Sequence, residues 1–129
     1  MSENPSDLRY TNDHEWARAD AAGVTVGITR HAVEALGDVT LVNVDVKVGG
    51  AVTAGKAFGT VESVKAVSDL FAPLTGTIVA VNAALQDKPE LVNEDPYGQG
   101  WMVTIAPAAG ESTEKLLSAE QYDAFLGTL

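Results

Sequence analysis

A mirror-ordered segment around Lys65 is the feature that most restricts what this chain can fold into. The side chains on either side of the Lys65-Ala66 bond repeat in reverse order. The mirror pairs are Val64 with Val67, Ser63 with Ser68, Glu62 with Asp69, and Val61 with Leu70. Because side chains alternate between the two faces of a strand, this order predicts an antiparallel hairpin with Lys65 and Ala66 as its central turn residues.

The same pairing predicts which side chains share a face of the hairpin. One face would hold Val61, Ser63, Ser68 and Leu70, and the other would hold Glu62, Val64, Val67 and Asp69. Two opposed carboxylates repel, so we expect the second face to be wet near Glu62 and Asp69. The turn lacks the Asn-Gly or Asp-Gly pair of tight hairpins, so local turn chemistry does not explain why Lys65 stands at the tip.

Three motifs surround this lysine: Val52-x-x-Gly55, Val61-Glu62-Ser63-x-Lys65-Ala66 and Ala72-Pro73-x-x-Gly76. They resemble the lipoyl and biotinyl carrier fold, in which the lysine of a hairpin turn is acylated. Biotin carriers have methionines on both sides of that lysine, and lipoyl domains of 2-oxoacid dehydrogenases have an acidic residue before it, whereas Val64 stands here. Glu-Ser-Val-Lys-Ala followed by Ser-Asp instead resembles the glycine cleavage H-protein family. The resemblance implies lipoate attached covalently to Lys65, flanked by the acidic residues Glu62 and Asp69.

The segment Asp13-His14-Glu15-Trp16 carries a second part of the resemblance. From the residues alone it is a polar turn followed by a half-buried tryptophan. The H-protein family has His-Glu-Trp near its start, which implies that Glu15 lies by the cleft that shelters the loaded arm. Ser or Thr commonly precedes the histidine in the family, so Asp13 is a departure from its pattern. Two readings of this extra carboxylate stay open: it strengthens the attraction for an amine, or it simply faces solvent. The series Leu-Val-Asn-x-x-Pro-Tyr-x-x-Gly-Trp over residues 91–101 extends the resemblance further.

Nothing in the composition suggests catalytic chemistry of the chain's own. The 129 residues contain no cysteine, which excludes disulfides, thiolate metal sites and thiol nucleophiles. His14 and His31 lack the spacing of metal ligands, and His31 is expected to be a solvated helix residue. Neither a Ser-His-Asp order nor a phosphate-binding glycine loop is present. The residues therefore predict no catalytic apparatus and no metal site, and if this protein does redox chemistry its sulfur must come from a cofactor. The resemblance implies a non-catalytic carrier.

The chain is acidic, with a formal net charge of -10 and a pI of about 4.4. This charge argues against nucleic acid and anionic membrane as partners, because phosphate contacts need clustered Lys and Arg, and it favours partners with basic docking surfaces. No apolar run reaches the length of a membrane span, and the polar leader, residues 1–7, resembles no targeting signal. We expect a cytoplasmic monomer, or a mitochondrial-matrix protein if a transit peptide has been removed.

The length predicts one domain over residues 1–129, and the strand patterns on either side of Lys65 predict two sheets folded against each other. With the resemblance, this implies an all-β barrel-sandwich hybrid with short helices. The β core is expected over about residues 8–106, and a C-terminal helical segment over about 112–127. Expected strands are 24–28, 40–44 with an extension through Lys47, 77–81 and 101–105. Expected helices are 30–36 between Thr29 and Gly37, a turn over 114–117, and a last helix with a Ser118-Gln121 capping box and a Tyr122, Phe125 and Leu126 stripe. Residues 82–97 are expected to be a surface connection anchored by Leu85, Leu91 and Val92.

What the resemblance implies about function is a shuttle protein. Lipoylated Lys65 would accept the aminomethyl group that a pyridoxal-phosphate glycine decarboxylase leaves from glycine, and a tetrahydrofolate-dependent aminomethyltransferase would take it over. Dihydrolipoyl dehydrogenase would reoxidise the dithiol, and a lipoate ligase or lipoyl/octanoyl transferase would attach the cofactor. Two alternatives stay open: a relay that donates lipoyl or octanoyl groups to other acyl carriers, and a structural β domain with unmodified Lys65.

Overall fold

Alternating apolar side chains form nine strands within residues 4–129, the part of the chain that this computed structural model describes. The first three residues of the polar leader lie outside the described residues. The strands are β1 (Arg9–Tyr10), β2 (Glu15–Asp20), β3 (Gly23–Ile28), β4 (Val39–Val44), β5 (Ala51–Val52), β6 (Ala57–Ser63), β7 (Val67–Phe71), β8 (Gly76–Val81) and β9 (Val103–Pro107). The helices are α1 (Arg30–Leu36), α2 (Ala84–Asp87), α3 (Leu91–Glu94) and α4 (Ala119–Leu126), with a 3₁₀ turn at Thr113–Lys115.

Two open antiparallel sheets share one apolar core. The larger sheet has the strand order β1-β2-β3-β9-β8-β5, and the smaller has the order β4-β6-β7. Val26 and Ile105 of the larger sheet and Val42, Val61 and Leu70 of the smaller sheet are buried in the same cluster. The predicted all-β architecture with short helices and a C-terminal helix is therefore confirmed, and β7 is left as an edge strand of the smaller sheet.

Helix α1 begins and ends where the sequence predicts. Thr29 is extended, and its hydroxyl oxygen accepts a hydrogen bond from the Ala32 N–H at 3.3 Å. Gly37 follows the last turn with φ of 79°, a left-handed conformation that a side chain would disfavour, and its N–H donates to Val33. Val33 and Leu36 are buried, so α1 covers the core and places Gly37 beside the start of β4.

Several predicted boundaries are wrong in identifiable ways. Strand β4 ends at Val44 and does not extend through Lys47; the next N–H, of Asp45, donates to Phe58. The connection over 82–97 contains α2 and α3, although Leu85 and Val92 are buried as predicted anchors. Strand β9 begins at Val103 and continues to Pro107, which pairs with Gly76 at the strand end.

The C-terminal helix closes a second apolar cluster. Its capping box between Ser118 and Gln121 is present as predicted, while the preceding turn lies at Thr113–Lys115 and not at 114–117. The Tyr122 ring stacks on Tyr10 with centroids 4.8 Å apart. Trp16 belongs to this cluster and is fully buried, not half-buried, with its indole N–H donating to the Pro96 carbonyl at 2.9 Å. The helix is thereby fixed against the start of the larger sheet.

Candidate functional site

The hairpin formed by β6 and β7 exists, but its register differs from the mirror order. Glu62 lies opposite Val67, and Thr60 lies opposite Asp69, so the two carboxylates do not face each other. The partners differ by two residues from the prediction, and a shift of two keeps every side chain on its face. Val61 and Leu70 are accordingly buried together, while Val67 and Asp69 are exposed.

The turn of this hairpin is centred on Val64 and Lys65, not on Lys65 and Ala66. The Ser63 N–H donates to the Ala66 carbonyl at 2.8 Å, which closes a four-residue turn. The Ser63 hydroxyl oxygen accepts from the N–H groups of Lys65 and Ala66 at 3.3 and 3.1 Å. This serine supplies the turn chemistry that an Asn-Gly pair would otherwise provide.

The tip of the hairpin rests on the end of α1. The Val64 N–H donates to the Asp38 carbonyl at 3.1 Å. Lys65 is exposed, and its side chain lies close to Gly37. A Cβ added to Gly37 would lie 3.4 Å from the Lys65 Cε. The lysine stem therefore runs past the C-terminal end of α1, and Val64 and Val67 on either side of it are 71% and 68% exposed.

A cleft of about 340 Å³ lies beside this tip, between the edge strand β7 and helix α1. Apolar side chains from three elements form much of its wall, including Ala32, Leu36, Val61 and Leu70. Polar groups come from the segment before β2 and the first residue of β2, from α1 and from β7. The polar residues that line it are Asp13, His14, Glu15, His31, Ser68 and Asp69.

Glu15 is the most buried acid in this cleft, with 2% of its surface exposed. Its carboxyl oxygens accept from the Thr11 hydroxyl at 2.7 Å and from the Phe71 N–H, on the free edge of β7, at 3.3 Å. Burial raises the pKa of Glu15 to about 8, because the loss of hydration outweighs both hydrogen bonds. A carboxyl in this state can take up a cation by releasing its proton.

The other predicted site residues divide between the cleft and the tip. Asp69 lines the cleft together with Glu15, and Asp13 lines it as well, so the family departure at this position adds a third acid to the wall. Glu62 lies outside the cleft, on β6 beside the turn. Lys65 stands at the tip, next to Ala66, which does line the cleft.

Sequence reasoning missed a hydroxyl and imidazole cluster at the far side of the cleft. His14 has φ of 68°, which is uncommon for a residue with a side chain, and its Nδ1 lies 2.7 Å from the Tyr122 hydroxyl. The same hydroxyl lies 2.9 Å from Thr29 Oγ1. His31 is half-buried against the His14 ring, with centroids 4.5 Å apart, and is not the solvated residue expected. No sequence signal links residues 14, 29 and 122.

Two open sheets and a hairpin that presents one lysine define the class of lipoyl and biotinyl carrier folds. The family model described as "Glycine cleavage H-protein" matches residues 8–128. The glycine cleavage system H protein of Myxococcus xanthus is 52% identical over 127 residues, covering 98% of each chain. That of a Psychrobacter species is 54% identical, covering 98% of this chain and 100% of the relative.

A solved structure agrees with these relatives. The crystal structure of the glycine cleavage system H protein from Mycobacterium marinum superposes with a TM-score of 0.85 at 45% identity, covering 96% of this chain and 99% of the other. The chain therefore belongs to the glycine cleavage H-protein family. Among residues 4–129, no helix is long and apolar enough to cross a membrane.

Proposed function

We propose that Lys65 carries covalently attached lipoate and that this protein is the aminomethyl shuttle of a glycine cleavage system. The lipoyl shuttle role is the function of the family to which the chain belongs. The observation that carries the proposal for this chain is the placement of one exposed lysine at a hairpin tip beside a cleft with a buried acid. The lipoyl group, when bound, supplies the disulfide and dithiol chemistry that the cysteine-free chain lacks.

The described residues fit such a group. Lys65 is exposed at a tip held by Ser63 and Asp38, so an acylating enzyme can approach its amine while the backbone stays ordered. The neighbouring cleft, at about 340 Å³, is in the size range of small-molecule sites and combines apolar walls with a few polar groups. The apolar part suits the hydrocarbon of the arm, and the polar part suits a charged end.

The acids of the cleft have distinct roles in this proposal. A protonated aminomethyl group is a cation, and charge-assisted hydrogen bonds from it to Glu15 and Asp69 would hold it in a partly dry site. Asp13, which is exposed in the wall of the same cleft, adds to the attraction for this cation. Glu62, at the turn and outside the cleft, is available to the acylating enzyme.

The proposal extends to the partners that such a shuttle must meet. These are a pyridoxal-phosphate glycine decarboxylase, a tetrahydrofolate-dependent aminomethyltransferase, dihydrolipoyl dehydrogenase and a lipoate ligase or lipoyl/octanoyl transferase. The protein itself is a non-catalytic, cytoplasmic monomer that provides attachment, reach and protection. A relay of lipoyl groups to other carriers is not favoured, because the family is that of the glycine cleavage system.

Lipoylation is tested first by attachment and then by turnover. The unmodified protein is incubated with a lipoate ligase, ATP and lipoate, and the adduct is located by peptide mass. We expect one lipoyl group on Lys65 and none in Lys65→Arg, while Lys56→Arg serves as the matched control and loads normally. An adduct on another of the five lysines, or loading retained in Lys65→Arg, contradicts the attachment site.

The shuttle role is tested by reconstituting glycine decarboxylation with the other components of the system. We expect turnover only when the lipoylated protein is present. If lipoylated protein fails to support turnover but donates its lipoyl group to a second acyl carrier, the relay alternative replaces the shuttle.

A further inference from the structure

A buried chain of hydroxyl groups connects helix α1 to the cleft. Thr29 and Tyr122 are both fully buried, and His14 is half-buried. Tyr122 Oη lies 2.9 Å from Thr29 Oγ1 and 2.7 Å from His14 Nδ1. The residues come from the end of β3, the C-terminal helix and the segment before β2, so only the tertiary structure brings them together.

Each hydroxyl has a single hydrogen, and this sets the donor direction along the hydrogen bonds from Thr29 to His14. The Thr29 oxygen accepts from the Ala32 N–H as the cap of α1. Among the described residues, the Tyr122 oxygen is the only other partner of the Thr29 hydroxyl, so Thr29 must donate its single proton there. The Tyr122 hydroxyl then donates a hydrogen bond to His14 Nδ1, which must therefore carry no proton. The imidazole is left neutral, with its proton on Nε2.

Apart from Tyr122 itself, the charged and titratable groups around His14 among residues 4–129 line the same cleft. His31 of α1 lies against its ring, Asp13 and Glu15 are its chain neighbours, and Asp69 stands on β7. Burial lowers the pKa of His14, His31 lowers it further, and Asp13 opposes them. Protonation of Nδ1 would also reverse the donor chain and leave the buried Thr29 hydroxyl without an acceptor.

We propose that Tyr122 is a positioning residue that keeps His14 uncharged in the wall of the cleft, so that the cleft can hold a cationic cargo. This inference rests on the proposed aminomethyl shuttle and deepens it. An imidazolium at residue 14 would repel a protonated amine held by Glu15 and Asp69 in the same partly dry space. The C-terminal helix thus contributes to the function of the cleft through one hydroxyl group.

The first experiment needs no lipoate. The imidazole ¹⁵N resonances of His14 are followed against pH in the unlipoylated protein, in Tyr122→Phe and in Tyr10→Phe. The last variant is the matched control, because Tyr10 stacks on Tyr122 and donates its hydroxyl to Pro5, away from His14. We expect the Nε2–H tautomer in the parent and the control, and mixed tautomers with a raised His14 pKa in Tyr122→Phe.

A parent protein with the proton on Nδ1 overturns the proposal, and this outcome can be read without any variant. An unchanged tautomer and pKa in Tyr122→Phe overturn it as well.

The second experiment measures how long the loaded form survives. Aminomethyl-loaded parent, Tyr122→Phe and Tyr10→Phe are held at a series of pH values, and loss of the aminomethyl group is followed by intact mass. We expect decay to accelerate as His14 becomes protonated, and this acceleration to begin at higher pH in Tyr122→Phe. At an intermediate pH the variant should decay about fivefold faster, the factor that corresponds to one net hydrogen bond.

Superimposable pH profiles of Tyr122→Phe and the parent contradict the positioning role while leaving the shuttle intact. Failure to load Lys65 at all refutes the shuttle instead, and the ¹⁵N measurement then still decides the tautomer.

Discussion

At the scale of single residues, the structural role of Glu15 conflicts with the role proposed for it in binding a cation. Its carboxyl oxygens accept hydrogen bonds from the Thr11 hydroxyl and the Phe71 N–H, which is a structural role. Its burial keeps the carboxyl largely protonated at neutral pH, since its pKa is raised to about 8. Ionisation therefore costs folding free energy until a cation enters the cleft and compensates it. If Glu15 binds the proposed cargo, the cation stabilises the form of the carboxyl that burial disfavours.

This raised pKa predicts how stability depends on pH. Between pH 4.5 and 8 the folded protein binds a proton at Glu15 that the unfolded chain has lost, so this contribution to stability is full below 4.5 and disappears as pH rises through 8. His14, whose pKa is lowered, acts in the opposite direction below its ordinary value of 6.5. We therefore expect the free energy of unfolding to fall between pH 6.5 and 8, by at most about 1.4 kcal/mol per pH unit from this group.

Glu15→Gln keeps the size and an acceptor oxygen but cannot ionise. Its free energy of unfolding should therefore change less with pH between 6.5 and 8 than that of the parent. Urea unfolding at several pH values measures both proteins, and Asp69→Asn is the control for an exposed cleft acid. Parallel curves for Glu15→Gln and the parent would mean that Glu15 is ionised in the empty cleft.

At the scale of the elements, the hairpin is positioned by backbone contacts that the mirror order does not contain. Gly59 pairs with Val44 on one side and Leu70 on the other, and a Cβ there would collide with the Asn43 carbonyl oxygen. This close approach sets β6 against β4. The turn then forms where Ser63 can accept from two N–H groups, one residue earlier than the centre of symmetry.

The turn predicts different effects for two serines that the mirror order treats as equivalent. Ser63→Ala removes the acceptor of the Lys65 and Ala66 N–H groups and should destabilise the protein by about 1 kcal/mol. It should also slow lipoylation, because the tip becomes less ordered. Ser68→Ala is the matched control, since Ser68 is exposed and makes no side-chain hydrogen bond among the described residues. Urea unfolding and the initial rate of loading measure both variants, and equal effects from the two would contradict this turn geometry.

At the scale of the whole molecule, two apolar clusters hold the elements together, and a negative net charge acts at longer range. One cluster lies between the sheets, and the other fixes the C-terminal helix and thereby Tyr122. The net charge of -10 acts over the whole surface. Such a field accelerates encounters with basic partners and is screened by salt over about 10 Å at 0.1 M.

The charge predicts a salt dependence of partner encounters. The rate at which dihydrolipoyl dehydrogenase oxidises the reduced, lipoylated protein at subsaturating concentration should fall several-fold as NaCl increases from about 20 to 300 mM, because screening weakens long-range attraction. Free lipoamide in the dihydrolipoyl dehydrogenase reaction is a neutral control, and its rate should change much less than that of the lipoylated protein. Equal salt dependence for the two substrates would show that surface charge does not guide the encounter.

Local patterns in the sequence were enough to determine those elements whose start and stop signals lie within a few residues. Thr29 and Gly37 bound α1, and Ser118 with Gln121 starts α4, because caps act on neighbouring N–H and C=O groups. The two faces of the hairpin were predictable because a two-residue period is intrinsic to a strand. The identity of the family followed from motifs around Lys65, Glu15 and residues 91–101.

Only the tertiary structure decided the register of the hairpin, the full burial of Trp16, the partial burial of His31, and the link from Tyr122 to His14. The register depends on β4 and on Asp38, which lie far from Lys65 in the chain, so the mirror order misplaced the turn by one residue. The state of Glu15 depends on desolvation by the walls that α1 and β7 supply. Burial and charge arise from the packing of distant segments, and a pattern read along one segment cannot contain them.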